Sequence, residues 1–409
     1  MFALPGRLDA AVGSFAPWLI LIFGFLFTSI VICFADLARY FDRTGGAQLY
    51  AGTAFGPVVG FQTGWLLYLS RVAALGANTM VLVAYAGALW PVLNDPVASS
   101  IASVVVLVTF TAINVIGVKR AMEALSGFTI LKLLPLIGLV IWGLFEAAPA
   151  PQFQLPEFTA VESIALVALY AFVGFEGANV PAGEMRDAKR TLPKAMITTI
   201  ILATLFYFAI QWVYTNSAGS LADTETPLVA LAEHYIGPTG AIVLGLAAVF
   251  SIAGNVMAGV VSAPRMTFGL AEDGLLPRWF AHISPRFGTP DRSILFYGGL
   301  GLVVALSGTF VLLAIVTSLA RLLSYLLCIA ALTVIRKRAG LDTFASIWAF
   351  VRHWGVPAVA TAMCLWAASQ STFEAWRVLG LFVVLGALLY WIARYSLTKA
   401  GPDNEELDA

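Results

Sequence analysis

The chain has 409 residues, 60% of them hydrophobic and 11% charged, with a mean hydropathy of +0.89, which excludes a soluble globular domain. Lys plus Arg and Asp plus Glu number 23 each, so the formal net charge is zero and nothing points to nucleic acid or an anionic surface partner. Cys33, Cys328 and Cys364 sit singly in apolar runs, and His234, His282 and His353 lie far apart, so no disulfide framework, metal or resident cofactor is expected.

Windows of about 20 apolar residues, the length that crosses a bilayer, recur along the chain. In order they are Pro17 to Tyr40, Gly60 to Trp90, Ala98 to Val118 and Ala124 to Phe145. An interrupted segment follows, Ser163 to Pro193. The rest are Ala195 to Thr215, Gly240 to Leu270, Ser293 to Phe310, Leu312 to Ile335, Val356 to Ser371 and Val378 to Tyr395. An all-α polytopic membrane protein with eleven spans is predicted, with no cleavable signal sequence. Between the first two spans, GAQLYAGTAFGPVVGF is too broken to cross and reads as an in-plane or re-entrant connector.

The cations orient these spans, because cytoplasmic loops hold the Lys and Arg excess. Arg7 and Arg377 fall on one side, Arg71, Lys132 and Arg321 lie within spans, and every other Lys and Arg, from Arg39 to Lys399, falls on the opposite, cytoplasmic side. The first complete span therefore starts outside and the C-terminus is cytoplasmic. Met1 to Arg7 are left outside or in the membrane, so a further apolar half-helix is expected ahead of Met1.

The interrupted segment carries Gly174, Glu176, Gly177, Asn179, Pro181 and Gly183 where an ordinary span keeps its hydrogen-bond ladder whole. Backbone unwound in hydrocarbon is tolerated only where protein or a watered cavity satisfies it. Discontinuous helices of this kind form substrate sites in secondary transporters; a Gly/Pro kink that only helps helices pack is the competing reading. The carboxylate of Glu176 favours a site, since an ionisable group inside a span is costly to retain.

Four tracts resemble, in order and spacing, the amino acid, polyamine and organocation superfamily of transporters: MFALPG, FADLARYFDRTGGAQLY, YAFVGFEGANVPAGEMRDAKRTLPKA and LAEDGLLPRWFAHI. The resemblance covers nearly the whole chain. It implies a LeuT-type fold, two inverted five-helix repeats whose first helices are broken at mid-membrane, followed by two further helices. It also implies one transporter domain over residues 1–395, with the first repeat over 1–145, lacking the start of its first helix, and the second over 161–335. Two last helices over 356–395 and a short cytoplasmic tail over 396–409 would complete it. The function implied is secondary active amino acid transport across the plasma membrane by alternating access, as proton-coupled uptake. An amino acid or polyamine exchanger and a non-transporting amino acid sensor are the alternatives. No enzyme is implied. The partners would be a small-molecule amino acid and the bilayer, with the oligomeric state open.

By the same resemblance, the half-helix amides of the first helix take the substrate carboxylate. The carbonyls of Tyr170, Ala171 and Val173, beside Gly174, take its ammonium, with Tyr170 also an aromatic gate and Phe172 and Phe175 packing residues. The family's small-residue break would precede MFALPG, so half of the carboxylate site is expected upstream of Met1. Lys132 stands where sodium-coupled relatives hold an ion. An ammonium at mid-span costs about 2.5 to 3.5 kcal/mol on insertion scales, and Lys132 is expected to couple proton movement; the alternative is a snorkelling or permanently paired lysine. Glu176 is either a second proton carrier or the group that holds the broken helix in shape.

Arg71 and Arg321 cannot readily lose their charge, so each should face the protein interior in a structural or gating pair. Asn78 and Asn255 are expected to make interhelical hydrogen bonds. Asp36, Arg39 and Arg43 would lie with Glu184, Arg186, Lys189 and Arg190 at an inner gate or on a solvated face. Around the expected pocket, Ser70, Tyr170, Asn255 and Ser324 are small or polar and no acid is evident, which leans against a cationic substrate.

Overall fold

A spanning backbone in hydrocarbon has no partner but itself, so the apolar windows should fold as helices. A computed structural model of the chain describes residues 2–41, 46–117, 119–146, 153–179, 187–217, 226–307, 309–340 and 347–399, and for helix residues 119–132, 188 and 396–399 the backbone alone. In chain order the helices are α1 Pro5–Val12, α2 Ala16–Leu37, α3 Gly46–Phe55, α4 Pro57–Leu89, α5 Pro96–Ile116, α6 Lys119–Glu146, α7 Phe158–Leu169 and α8 Ala188–Ser217. They continue as α9 Pro227–Ile236, α10 Pro238–Glu272, α11 Asp291–Ser307, α12 Phe310–Arg338, α13 Ile347–Phe350, α14 Val356–Ser369 and α15 Phe373–Lys399.

The protein is an all-α, multi-pass membrane protein. Among the described residues, seven helical stretches are long and apolar enough to cross a membrane: Pro5–Leu37, Pro57–Leu89, Pro96–Ile116, Lys189–Ser217, Pro238–Glu272, Phe310–Arg338 and Phe373–Tyr395. The other four windows read from the sequence also fall on helices: α6, the interrupted α7, α11 and α14, the last extended at its start by α13 and a π-turn, Val351–Gly355. Large apolar side chains such as Phe25, Ile101, Trp142, Leu202, Val303 and Trp391 are exposed around the bundle, as a lipid-facing belt requires.

Local signals set several helix starts. Asp95 caps α5 by accepting the N–H groups of Val97 and Ala98, both at 3.0 Å, with Pro96 in the first turn. Thr309 caps α12 in the same way, accepting the Leu312 N–H at 3.3 Å. The connector between the first two spans is the ten-residue α3, packed on α4 and α12. Helix α9, which the hydropathy reading missed, occupies the loop between α8 and α10; Pro227 at its start and Gly237 past its end are the marks that reveal it.

Helix α4 is central, packing against α3, α10, α11 and α12 and burying Trp65, Tyr68 and Tyr85 completely. Two large apolar cores result, beside a smaller one of α6, α8, α9 and α10. One joins α2, α7, α12 and α14; the other joins α4, α10 and α11. Phe172 lies in the first core while Tyr170 packs against the second, so the interruption after α7 falls on their seam. The start of α1 is pinned there too, by Tyr85 donating to the Phe2 carbonyl at 3.0 Å and Gln211 to that of Pro5 at 3.1 Å.

Candidate substrate site

Helix α7 tightens as it ends. Ala171 N–H reaches back to the Ala168 carbonyl at 3.1 Å and Phe172 N–H to that of Leu169 at 3.0 Å, both three-residue bonds. At Gly174, φ is +115°, a conformation that L side chains rarely adopt, and the chain turns into a short 3-10 helix, Phe175–Asn179. Among the described residues the carbonyls of Tyr170, Ala171 and Val173 accept no backbone hydrogen bond. They are the acceptors that an unbroken helix would have consumed.

Glu176 follows the break, with only 3% of its surface exposed. One carboxylate oxygen accepts from the Tyr325 hydroxyl at 2.7 Å and from the Gly174 N–H at 3.0 Å. The other lies 2.8 Å from Arg321 Nη1, in ion-pair contact without hydrogen-bond alignment. Arg321 Nε also donates to Ser70 Oγ at 3.0 Å. Glu176 therefore ties the unwound turn to α12 and, through Arg321, to α4.

Two glycines admit the two guanidiniums. A Cβ on Gly174 would stand 3.4 Å from Arg321 Nη1, and one on Gly177 would stand 3.2 Å from Arg71 Nη2. Arg71 points across to α10, donating to Ser262 Oγ at 3.1 Å, while Tyr297 donates to its backbone carbonyl at 2.9 Å. Both intramembrane arginines thus face the protein interior, beside the same turn.

A cavity of about 330 Å³ opens on this turn, lined by Tyr170, Ala171, Val173, Gly174, Arg71 and Arg321 together with side chains of α10. Asn78 and Asn255 face it rather than serving only as links between helices, and Asn78 Oδ1 accepts the Tyr170 hydroxyl at 3.2 Å. A neighbouring cavity of about 750 Å³ shares Asn78, Tyr170 and Asn255 and reaches Phe2, Ala3 and Leu4 at the start of α1. A third, of about 630 Å³, shares Ala3, Val81 and Phe310 with it and extends to Asn94, at the end of the bundle where α4 finishes and α12 begins.

At the other end an ion cluster ties helices together. Asp36, at the end of α2, is buried and meets Arg336 Nη2 of α12 at 2.5 Å, while Arg352 of the π-turn grips both its oxygens, with Nε at 3.2 Å. Arg336 also donates to the His353 carbonyl at 3.2 Å. Arg39 also pairs with Asp36, at 3.8 Å, while Lys189 and Arg190 are exposed at the start of α8, where Leu192 packs on Ala38 at the end of α2. Arg43, Glu184 and Arg186 lie outside the described residues.

Tyr170, Ala171, Val173, Gly174, Glu176, Arg71 and Arg321 converge within one site. Lys132 lies on α6 with its side chain outside the described residues. Ser70 contacts Arg321, whereas Ser324 is buried against the Thr63 and Ala320 carbonyls and does not line the cavity. Phe172 and Phe175 pack on Phe27, as expected of filling residues. Tyr207, Ser262 and Tyr297 also line the cavity and were not singled out in the sequence; each is a lone polar group on a span, a weak signal without a partner in view.

Residues 2–392 match a family model described as amino acid permease. Among curated proteins, the chain is 29% identical over 302 residues to a cadaverine/lysine antiporter of Escherichia coli K12, covering 71% of this chain and 67% of that one. It is 26% identical over 369 residues to a D-serine/D-alanine/glycine transporter of the same strain, covering 83% and 77%.

Proposed function

The chain belongs to the amino acid permease family, and from that premise we propose that it carries an amino acid across the plasma membrane by alternating access, with its C-terminus cytoplasmic. The observation that carries this reading is the unwound turn at Tyr170–Gly174, whose unused carbonyls open on a cavity of about 330 Å³. Carbonyls at the C-terminal end of a half-helix suit an ammonium group, and the start of α1, bordering the adjoining cavity, suits a carboxylate. Residues 1–395 would act as one transporter unit, with repeats over 1–145 and 161–335, helices over 356–395 and a tail over 396–409. The chain of cavities toward the α4–α12 end, opposite the Asp36 cluster, fits a conformation whose site communicates with the outside.

In this reading Glu176 holds the turn in shape through Arg321 and Tyr325, and Lys132 carries the coupling proton for uptake. Exchange is the second reading, favoured by the antiporter among the relatives. Reconstituted proteoliposomes separate the two. Net uptake of a labelled amino acid into vesicles empty of amino acids, raised by an inward proton gradient, supports coupled uptake. Uptake that appears only when amino acid or polyamine is preloaded inside makes the protein an exchanger. Failure of every labelled amino acid under both conditions removes the transport proposal.

A further inference from the structure

The charges that the described side chains bring to the 330 Å³ cavity do not cancel. Among the described residues that line it or touch its wall, Arg71 and Arg321 are cationic and Glu176 alone is anionic. Arg321 and Glu176 belong to each other at 2.8 Å, and Glu176 spends its second oxygen on Tyr325 and the Gly174 N–H. Arg71 hydrogen-bonds a neutral partner, Ser262 Oγ at 3.1 Å, and shares the field of Glu176 with Arg321, so one carboxylate serves two guanidiniums; the missing side chain of Gly177 leaves room for the Arg71 guanidinium at the cavity wall. A guanidinium does not shed its proton to relieve this, so a charge held inside a membrane bundle calls for a counter-ion. The remaining polar lining, Asn78, Asn255 and the hydroxyls of Tyr170, Tyr207 and Tyr297, is uncharged.

We infer that the substrate is an acidic amino acid whose side-chain carboxylate pairs with Arg71. The inference rests on the proposed amino acid transport and assigns its substrate class. The ammonium and α-carboxylate of a zwitterion cancel, so a neutral amino acid leaves the site one positive charge in excess and a cationic one makes it two. An acidic side chain brings the site to neutrality. A carboxylate entering between Arg71 and Ser262 would find a planar fork of N–H donors that can bind both oxygens, an arrangement that favours carboxylates over their amides. This differs from both relatives, one named for cadaverine and lysine and the other for serine, alanine and glycine.

The test is equilibrium binding of L-glutamate, L-aspartate, L-glutamine, L-asparagine, L-leucine and L-lysine to the purified full chain in nanodiscs, read by calorimetric titration. The acidic amino acid should bind at least tenfold more tightly than its own amide. That ratio should fall to about one in Arg71→Gln and persist in Arg71→Lys, which keeps the charge and serves as the folded comparison. The inference is overturned if an amide, leucine or lysine binds as tightly as glutamate and aspartate, or if the ratio survives in Arg71→Gln. A wild-type protein without acidic preference, losing all amino acids equally in Arg71→Gln, would place Arg71 on the α-carboxylate instead. Neutral or cationic binding thus defeats the substrate class alone, while absence of binding by any amino acid defeats the transport reading with it.

Discussion

Glu176 and Arg321, 145 residues apart in sequence, meet at 2.8 Å beside the unwound turn, with 3% and 7% of their side chains exposed. The contact joins the interruption after α7 to α12. Removing one member of a buried pair strands the other charge and costs about 3 to 5 kcal/mol, whereas replacing both by apolar groups can be neutral. Glu176→Gln is therefore expected to lower thermal stability and to cut uptake at least tenfold. Glu176→Gln combined with Arg321→Met should regain most of the stability but none of the transport. Wild-type uptake in the single variant would show that the carboxylate is dispensable.

Lys132 is expected to couple protons through the change in its surroundings as the helices move. A lysine on α6 can bridge to a neighbouring helix when charged and release it when neutral. Lys132→Ala should abolish the dependence of uptake on an inward proton gradient while leaving substrate binding measurable. Continued accumulation against a gradient in that variant, or a requirement for sodium, would reduce the lysine to a structural cation.

The two glycines flanking Glu176 should differ in how they fail. Gly174 holds φ +115°, so Gly174→Ala stores strain of about 1 to 3 kcal/mol in the turn and should depress both melting temperature and uptake. Gly177 is limited by space, its Cβ position lying 3.2 Å from Arg71 Nη2. Gly177→Ala should cost less stability than Gly174→Ala, because the tip of an arginine can shift, and act mainly on substrate affinity by displacing the guanidinium. Equal melting temperatures for the two variants would contradict this distinction.

Asp36 ties α2 to α12 and to the segment before α14 by holding Arg336 and Arg352. Asp36→Asn removes the charge that both guanidiniums share and should loosen the ends of α2 and α12. Cys33, buried one turn earlier on α2, then becomes the reporter. Its labelling by a maleimide in solubilised protein should rise at least fivefold over wild type, a gain in exposure of about 1 kcal/mol, well within what breaking such a pair supplies. Unchanged labelling would mean that α14 and α12 hold α2 in place without the carboxylate.

Hydropathy and charge are local properties, so they could be read along the chain. The apolar windows and the interruption at Gly174 followed from the bilayer's demand for length and internal hydrogen bonding. The family was legible for the same reason, since its motifs lie at helix ends and breaks, where backbone geometry restricts residue choice. Helix α9 escaped because ten residues in a loop lack a span's hydropathy and show only a proline and a glycine at their ends.

Pairing was not local, and only the tertiary structure decided it. Arg71 and Arg321 look alike in the sequence, each a single cation in an apolar run. Packing of α4, α10 and α12 around the turn puts Glu176 in direct contact with Arg321 and gives Arg71 its hydrogen bond to Ser262. Asp36 likewise finds Arg336 and Arg352, some 300 residues away, in addition to Arg39 one turn along the chain. A Coulombic contact depends on separation in space, and in a helical bundle that separation is set by which faces pack, a property distributed over all the helices and carried by no single stretch of residues.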